Sequence, residues 1–356
     1  MFRSLGRFIT SAILLLLAGL SMACARYLGT FFFPAYRQLS QRVLHTISSV
    51  TGLLPFALWE VLLALLLLFF IYSIFHTIFQ KKRCLSWLSG VVLTLSVLVF
   101  LFVALWGLNH YAPPISEELG LDVREYSQDE LTAATAYYMQ EAAALAAEVP
   151  RSESGELTAP DFKALAAVAE TSYQPLAAQH SVFGSGVQPV KASCLTTAAL
   201  NYSGTTGIFL AFTAESTVNP DTFAASLPHT MCHEIAHSFG IAAEDEANFA
   251  AFLACDASSD TFFRYSGYYD AFLYCYNALY DADAAAAKAL WNDSTALLQQ
   301  DCTAANAHYA PYAGKVQDTA QKLNDGYLKA FSEESGVQSY GEAADYLIAW
   351  YLQKNA

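Results

Sequence analysis

Three long apolar runs constrain the fold of this chain more than any other feature of its sequence. They cover residues 8–27, 55–79 and 87–108. Each run reaches the length of about 20 residues that a helix needs to cross the hydrocarbon core of a bilayer. Backbone polar groups in lipid must be satisfied within their own segment, so we expect helices there. The sequence therefore predicts a membrane anchor over residues 1–110, followed by a separate domain over residues 111–356.

The first run has two interpretations. Arg3 and Arg7 precede it, and Ala23-Cys24-Ala25 is an acceptable small-residue cleavage site, so the run could be a signal peptide. We favour an uncleaved span. Cleavage of this segment would leave the expected topology of the remaining chain unchanged.

The distribution of basic residues predicts the orientation. Lys81-Lys82-Arg83 lies in the short loop between the second and third runs, and short basic loops stay in the cytoplasm. Arg3 and Arg7 at the amino terminus agree with this orientation. With three spans, residues 110–356 are expected to face outward, and the protein is expected to be an integral membrane protein.

The outer region is strongly acidic. Residues 1–110 contain eight basic residues and one acid, whereas the remainder contains 31 acids and ten bases, a net charge of −21. Such a domain repels the phosphate backbone, so nucleic acid is not an expected partner. The expected partners are the lipid bilayer and a peptide or protein substrate, and the oligomeric state is left open.

The motif that points to chemistry is His233-Glu234-Ile235-Ala236-His237, a His-Glu-x-x-His sequence. Residues four apart lie on one face of a helix, so His233 and His237 can bind one Zn²⁺ together. Glu234 lies one position round the helix, where it can act on a water as a general base without binding the metal itself.

A catalytic zinc usually has a third protein ligand, and the acidic run after Gly240 offers candidates. Gly240 can end the first helix in a left-handed turn, and Glu244-Asp245-Glu246 then reads as the first turn of a second helix. Carboxylates also favour that position through the helix dipole alone. We nevertheless expect one of them to bind the metal, because the histidine pair lies just upstream.

These residues resemble the zincin metallopeptidases, specifically the branch in which a glutamate on the next helix is the third ligand. The chain reads Glu244-Asp245-Glu246-Ala247-Asn248 at that place. The resemblance implies a zinc peptidase with Glu244 as third ligand, Glu246 as the alternative, and Asn248 holding the other ring nitrogen of a metal-bound histidine. It also implies a strand before the zinc helix, for which we expect residues 207–213.

The whole arrangement also resembles a bacterial three-span membrane family of unknown function, domain of unknown function 3810. The resemblance includes Asn324-Asp325-Gly326-Tyr327-Leu328-Lys329 and Gly336-Val337-Gln338-Ser339-Tyr340-Gly341. This family implies a bacterial cell membrane but no substrate.

The remaining pattern is mostly helical. Ser127 and Glu130 form a capping box that predicts a helix to about residue 148, and further helices are expected over 160–173, 260–280, 283–300 and 340–353. Pro228 is expected to open the helix of the motif. The predicted fold class is mainly α: three transmembrane helices, then a largely helical zincin-like α+β domain with a small sheet.

Other residues carry weaker signals. Five of the seven cysteines lie in the outer region, and we interpret Cys232 as a core residue. Candidates for a donor that stabilises an oxyanion are Tyr265, Tyr268, Tyr269 and His180, with no ground for choosing among them. The alternative function is a non-catalytic membrane sensor or scaffold with a zincin-like ligand-binding domain.

Overall fold

The computed structural model describes residues 2–79, 84–184, 186–331 and 339–355. Within those ranges the chain is mainly helical, with a small three-stranded sheet in its carboxyl-terminal part, as predicted. The helices are α1 Phe2–Thr51, α2 Leu58–Phe79, α3 Cys84–Leu105, α4 Ile115–Leu119, α5 Gln128–Ala146, α6 Phe162–Ala169, α7 Gln174–Ala177, α8 Thr197–Ser203, α9 Leu227–Ser238, α10 Glu244–Asp256, α11 Thr261–Ala282, α12 Ala284–Asp293, α13 Ala296–Tyr309, α14 Lys315–Ala330 and α15 Ser339–Lys354. The strands are β1 Val190–Ala192, β2 Gly207–Leu210 and β3 Glu215–Val218.

Two compact units divide the chain. One consists of Met1–Ala112 together with Leu210–Glu215, and the other of Pro113–Phe209 and Ser216–Ala356. The boundary at Pro113 lies close to the expected start of the second domain at residue 111. The sequence pattern did not predict that Leu210–Glu215 belongs to the first unit.

The first unit contains three helices long and apolar enough to cross a membrane: Arg3–Gly29, Leu58–Phe79 and Cys84–Leu105. The expectation of three long apolar helices is therefore confirmed for the described part of the chain. The basic loop 81–83 lies outside the described residues, so the outward orientation stays a prediction.

Helix α1 extends well beyond the first apolar run, which ends at residue 27. Helix α1 continues to Thr51 after a break at Leu28, where φ is −128°. The helix continues because a stripe of residues at helical spacing is buried. Some of these buried residues are serine or threonine, so the apolar pattern of a helix is not visible in the sequence. The members of this stripe are Phe33, Ser40, Leu44, Ser48 and Thr51.

Leu210–Glu215 binds the amino-terminal end of α2. The Glu215 carboxylate is 2% exposed and accepts hydrogen bonds from Leu58 N at 2.9 Å and Trp59 N at 3.0 Å. Thr51 Oγ1 donates to the Thr213 carbonyl at 3.0 Å. The first N–H groups of a helix lack partners within the helix, so a carboxylate satisfies them and complements the helix dipole.

The second unit has a helical core with the sheet beside it. Helix α5 begins with the predicted capping box, in which Glu130 N donates to Ser127 Oγ and Ser127 N donates to Glu130 Oε2. The strand order is β1-β3-β2, with β1 parallel to β3 and β2 at the edge. Large aromatic side chains fill the core, among them Tyr138, Phe249, Phe252, Phe263 and Phe272.

Several predicted elements are shorter than the sequence suggested. The strand expected over 207–213 ends at Leu210, because the chain turns through Ala211–Ala214 and Ala214 adopts a φ of 47°. The helix expected over 160–173 ends at Ala169. The one expected over 283–300 divides into α12 and α13, since Thr295 begins a new helix by capping Leu298 N.

Stability of the second unit is expected to depend on a buried ion pair. Arg151 makes two hydrogen bonds to Asp301, at 2.9 and 2.7 Å, and Tyr265 OH donates to the same carboxylate. Asp301→Ala leaves the guanidinium without its anion in a site where the two side chains are 11% and 2% exposed. We expect a loss of about 3–5 kcal/mol, lowering the unfolding midpoint by about 10 °C.

The matched control for this prediction is Lys329→Ala, which breaks an exposed pair with Asp325. Such a pair contributes less than about 1 kcal/mol. Thermal unfolding of the detergent-solubilised full-length chain compares the two variants. Equal midpoints for Asp301→Ala and Lys329→Ala would contradict the proposed contribution of the buried pair.

Candidate metal centre

The motif helix is bounded by proline and glycine. Pro228 lies in the first turn of α9, as expected, and Gly240 follows the helix with a φ of 82°. This left-handed turn is readily available only to glycine, and it reverses the chain after α9. Helix α10 then begins at Glu244, with its first turn facing the end of α9.

Three predicted side chains meet at this junction. His233 Nε2 lies 3.0 Å from His237 Nε2 and 3.2 Å from Glu244 Oε2, while His237 Nε2 lies 3.7 Å from the same oxygen. The candidate ligand atoms of the three residues all lie within 4.8 Å of one another. His233, His237 and Glu244 are thus brought together as the sequence predicted.

The spacing of these atoms fits a tetrahedral metal ion. Ligand bonds of about 2.0–2.1 Å in tetrahedral geometry place ligand atoms roughly 3.3 Å apart, close to the three distances observed. Among the described residues, His233 Nδ1 and Glu234 Oε2 are buried without a hydrogen-bond partner, while Glu244 Oε2 is buried facing the two imidazole nitrogens. Buried polar atoms rarely remain unpaired in proteins, and a cation at this position would pair with the Glu244 oxygen. Two imidazoles and a carboxylate are a donor set suited to zinc.

The backbone orients one of the histidines. His237 Nδ1 lies 2.7 Å from the Ile241 carbonyl, which the turn at Gly240 carries back over the end of α9. With a proton on Nδ1, the neutral ring presents a bare Nε2 toward His233 and Glu244. An imidazole that binds a metal commonly donates its other N–H in this way.

Glu234 lies beside this cluster and is almost fully buried. Its side chain faces β2, where a Cβ at Gly207 would come within 2.4 Å of Glu234 Oε1. Gly207 is therefore the residue that makes room for the carboxylate. Burial raises the pKa of Glu234 to about 7, against the lowering effect of His233 and His237.

Charges in the cluster stabilise one another. Burial opposes the charged form of His237, but the contacts with Glu244 outweigh it and raise the pKa of His237 to about 9. Burial likewise opposes ionisation of Glu244, yet the two histidines hold its pKa well below the usual range. Without a metal, the site therefore retains a proton at neutral pH.

The alternative ligand Glu246 points elsewhere. Its Oε1 accepts hydrogen bonds from Ile115 N at 3.0 Å and Tyr346 OH at 3.1 Å, and it is not part of the cluster. Asn248 is buried on α10, and its Nδ2 has no hydrogen-bond partner in the described part of the chain. The Ile241 carbonyl, rather than Asn248, contacts the second ring nitrogen of His237. The supporting role of Asn248 stays a prediction.

Two of the tyrosines considered as oxyanion donors are engaged in the core. Tyr265 OH donates to Asp301, and Tyr268 OH donates to Asp256 at 2.7 Å. Both hydroxyl protons are therefore held by carboxylates. Tyr269 OH is buried with no hydrogen-bond partner among the residues that the structure describes. His180 lines a cavity beside Phe249 and Trp350.

His229 lies in the first turn of α9 and also contacts two neighbouring helices. Its Nε2 lies 3.1 Å from the Asn248 carbonyl, and its Nδ1 lies 3.5 Å from Asp270 Oδ2. Ser226 Oγ donates to the other oxygen of Asp270 at 2.8 Å. His229 thereby joins α9 to both α10 and α11. The spacing of four residues to His233 was the only available signal, and it could not reveal these partners.

A comparison with known protein families gives a match over most of the chain. The family described as "Protein of unknown function (DUF3810)" matches residues 36–348, a range that includes the whole cluster. No curated protein and no solved structure matches the chain.

The cluster geometry distinguishes the two glutamates. Glu244→Gln replaces a charged donor with a neutral amide, and we expect metal affinity to fall by more than about 100-fold. Glu246→Gln keeps a carbonyl oxygen for its partners Ile115 N and Tyr346 OH, so metal binding should be unchanged. Competition with a chromophoric chelator measures both affinities. Loss of metal in Glu246→Gln alone would assign the third ligand to Glu246.

The raised pKa of His237 makes metal binding depend on pH. A ligand histidine must be neutral, so binding at pH 7 should release about one proton. Between pH 7 and about 9, affinity should rise roughly tenfold per pH unit, because the proton competes ever less with the metal. Calorimetry in buffers of different ionisation enthalpy measures the proton release. An affinity independent of pH in this range would contradict the charge state described.

Proposed function

We propose that this chain, which belongs to the DUF3810 family, is a membrane-anchored zinc-dependent peptidase. The observation that supports the proposal is the convergence of His233, His237 and Glu244 beside a buried Glu234. These are the residue types and the arrangement that a metal-dependent hydrolase needs. The three ligands would hold Zn²⁺, and the fourth residue would carry out proton transfer.

In the proposed hydrolysis, the metal and the protein would have different roles. When bound, zinc would supply a Lewis acid that polarises a peptide carbonyl and lowers the pKa of a water. Glu234 would take up the proton of the attacking water and deliver it to the leaving amine. In the site without metal, burial raises the pKa of Glu234 to about 7, and such a desolvated carboxylate is suited to accepting and returning a proton.

A peptide substrate is favoured by the zincin resemblance and by the edge strand β2. This strand lies at the edge of the sheet, and its Gly207 backbone faces Glu234. A sheet edge can pair with an extended peptide through main-chain hydrogen bonds, which would bring a scissile bond near the carboxylate. The site would then face outward from a bacterial cell membrane, as the basic loop predicts.

The alternative is a non-catalytic sensor or scaffold that binds a ligand. Glu234 weighs against it. A buried carboxylate whose Oε2 lacks a partner destabilises the fold, because its desolvation is not compensated. A binding module has no need of such a group, whereas a general base does.

The decisive variant is Glu234→Gln. The amide keeps the size of the side chain but cannot accept a proton, so hydrolysis should fall by about 10²–10⁴-fold or more while zinc stays bound. The assay uses the detergent-solubilised full-length chain with a fluorogenic peptide library, and metal content is measured on the same sample.

The control for this variant is Glu148→Gln, which changes an exposed carboxylate in the same unit. Its activity should equal that of the wild type. Full turnover by Glu234→Gln would remove the assigned general base. Bound zinc without any turnover in the wild type would favour the sensor or scaffold.

A further inference from the structure

Two buried thiols meet between the helices that carry the candidate ligands. Cys232 Sγ on α9 lies 3.8 Å from Cys255 Sγ on α10. Both cysteines are 0% exposed, and they are unlinked in this structure. The predicted role of Cys232 as a core residue is compatible with this position, but a core role alone does not account for a second thiol at contact distance.

The surrounding packing restricts both side chains. Cys232 Sγ lies 3.5 Å from Ser172 Oγ, and Tyr173 OH donates to the Cys232 carbonyl at 3.0 Å. On the other side, a Cβ at Gly267 would lie 2.5 Å from Cys255 Cβ, so α11 lies directly against this cysteine. This packing keeps the two backbones in place and holds the two sulfurs near each other.

The two cysteines bracket the whole candidate metal centre. His233, Glu234, His237 and Glu244 all lie in the segment between residues 232 and 255. A bond between the two sulfurs would close this segment into a loop and connect the helix with both histidines to the helix with Glu244.

We propose that Cys232 and Cys255 form a disulfide that staples α9 to α10 around the metal centre. The sulfurs must approach from 3.8 Å to a bond length of about 2.05 Å, a shift within reach of small side-chain rotations. In the reaction, each cysteine loses its thiol proton and the pair loses two electrons. A low-molecular-weight or protein disulfide accepts both protons and both electrons and leaves as two thiols.

The staple requires an oxidising compartment, so it rests on the outward orientation that the proposed function includes. Full burial means that oxidant reaches the thiols before α9 and α10 pack together. Once formed, the bond is shielded by the same burial from reducing thiols. The staple would then hold the ligand helices together whether or not metal is bound.

The test is a thiol map of the full-length chain. Cells are quenched with N-ethylmaleimide, and the protein is extracted in detergent, denatured without reductant, alkylated again and digested. We expect the peptides with Cys232 and Cys255 to appear crosslinked and to separate after reduction. Alkylated Cys232 and Cys255 in the unreduced chain would overturn the proposal, as would a crosslink of either one to another cysteine.

Two variants sharpen the result. In Cys232→Ala, Cys255 should become alkylated in the denatured chain, whereas Cys302→Ala removes another buried thiol and should leave the crosslink intact. Zinc content and peptide hydrolysis are measured on the same preparation. Zinc and turnover without a crosslink would overturn only the staple, and a crosslink without zinc would count only against the peptidase.

Discussion

Burial of charge at the junction of α9 and α10 is the constraint on which the rest of this structure depends. Glu234 is 4% exposed, and the Glu244 side chain is 13% exposed. Removing carboxylates from water is strongly unfavourable unless opposite charges or hydrogen bonds compensate. Glu244 has two histidines as neighbours, whereas Glu234 has little compensation. The fold therefore keeps the Glu234 carboxylate in a buried environment that lowers the stability of the protein.

Main-chain features do much of the positioning around these charges. The left-handed turn at Gly240 returns the Ile241 carbonyl to His237, and the missing side chain of Gly207 leaves space for Glu234. Ser216 Oγ on β3 donates to the Glu234 carbonyl at 2.8 Å, which ties the sheet to α9. Such contacts restrict the candidate site on several sides, which is the preorganisation that the proposed catalysis would require.

The predictable part of the structure is the part with local causes. His233 and His237 share a helix face and Gly240 ends that helix, so helical periodicity and turn chemistry predicted the histidine pair with an acidic helix start beside it. The zincin resemblance, and not periodicity, selected Glu244 from the three acids there. The approach of Gly207 to Glu234 and the pair of Arg151 with Asp301 join distant segments. The local sequence pattern does not predict these two contacts, because each depends on how segments far apart in the sequence pack together in the folded chain. The extension of α1 to Thr51 was missed because its buried stripe includes serine and threonine, which resemble loop residues.

The segment Leu210–Glu215 has a practical consequence for handling this protein. A chain cut after Ala112 retains this segment but loses Leu58 N and Trp59 N, to which Glu215 is bonded, and Phe102, whose ring lies 6.4 Å from that of Phe212. The Glu215 carboxylate and the Phe212 ring would then lose these contacts just after β2. Removing the hydrophobic helices to obtain a soluble fragment therefore leaves the turn between β2 and β3 without these partners. Failure of such a fragment to bind metal would not count against the candidate metal centre.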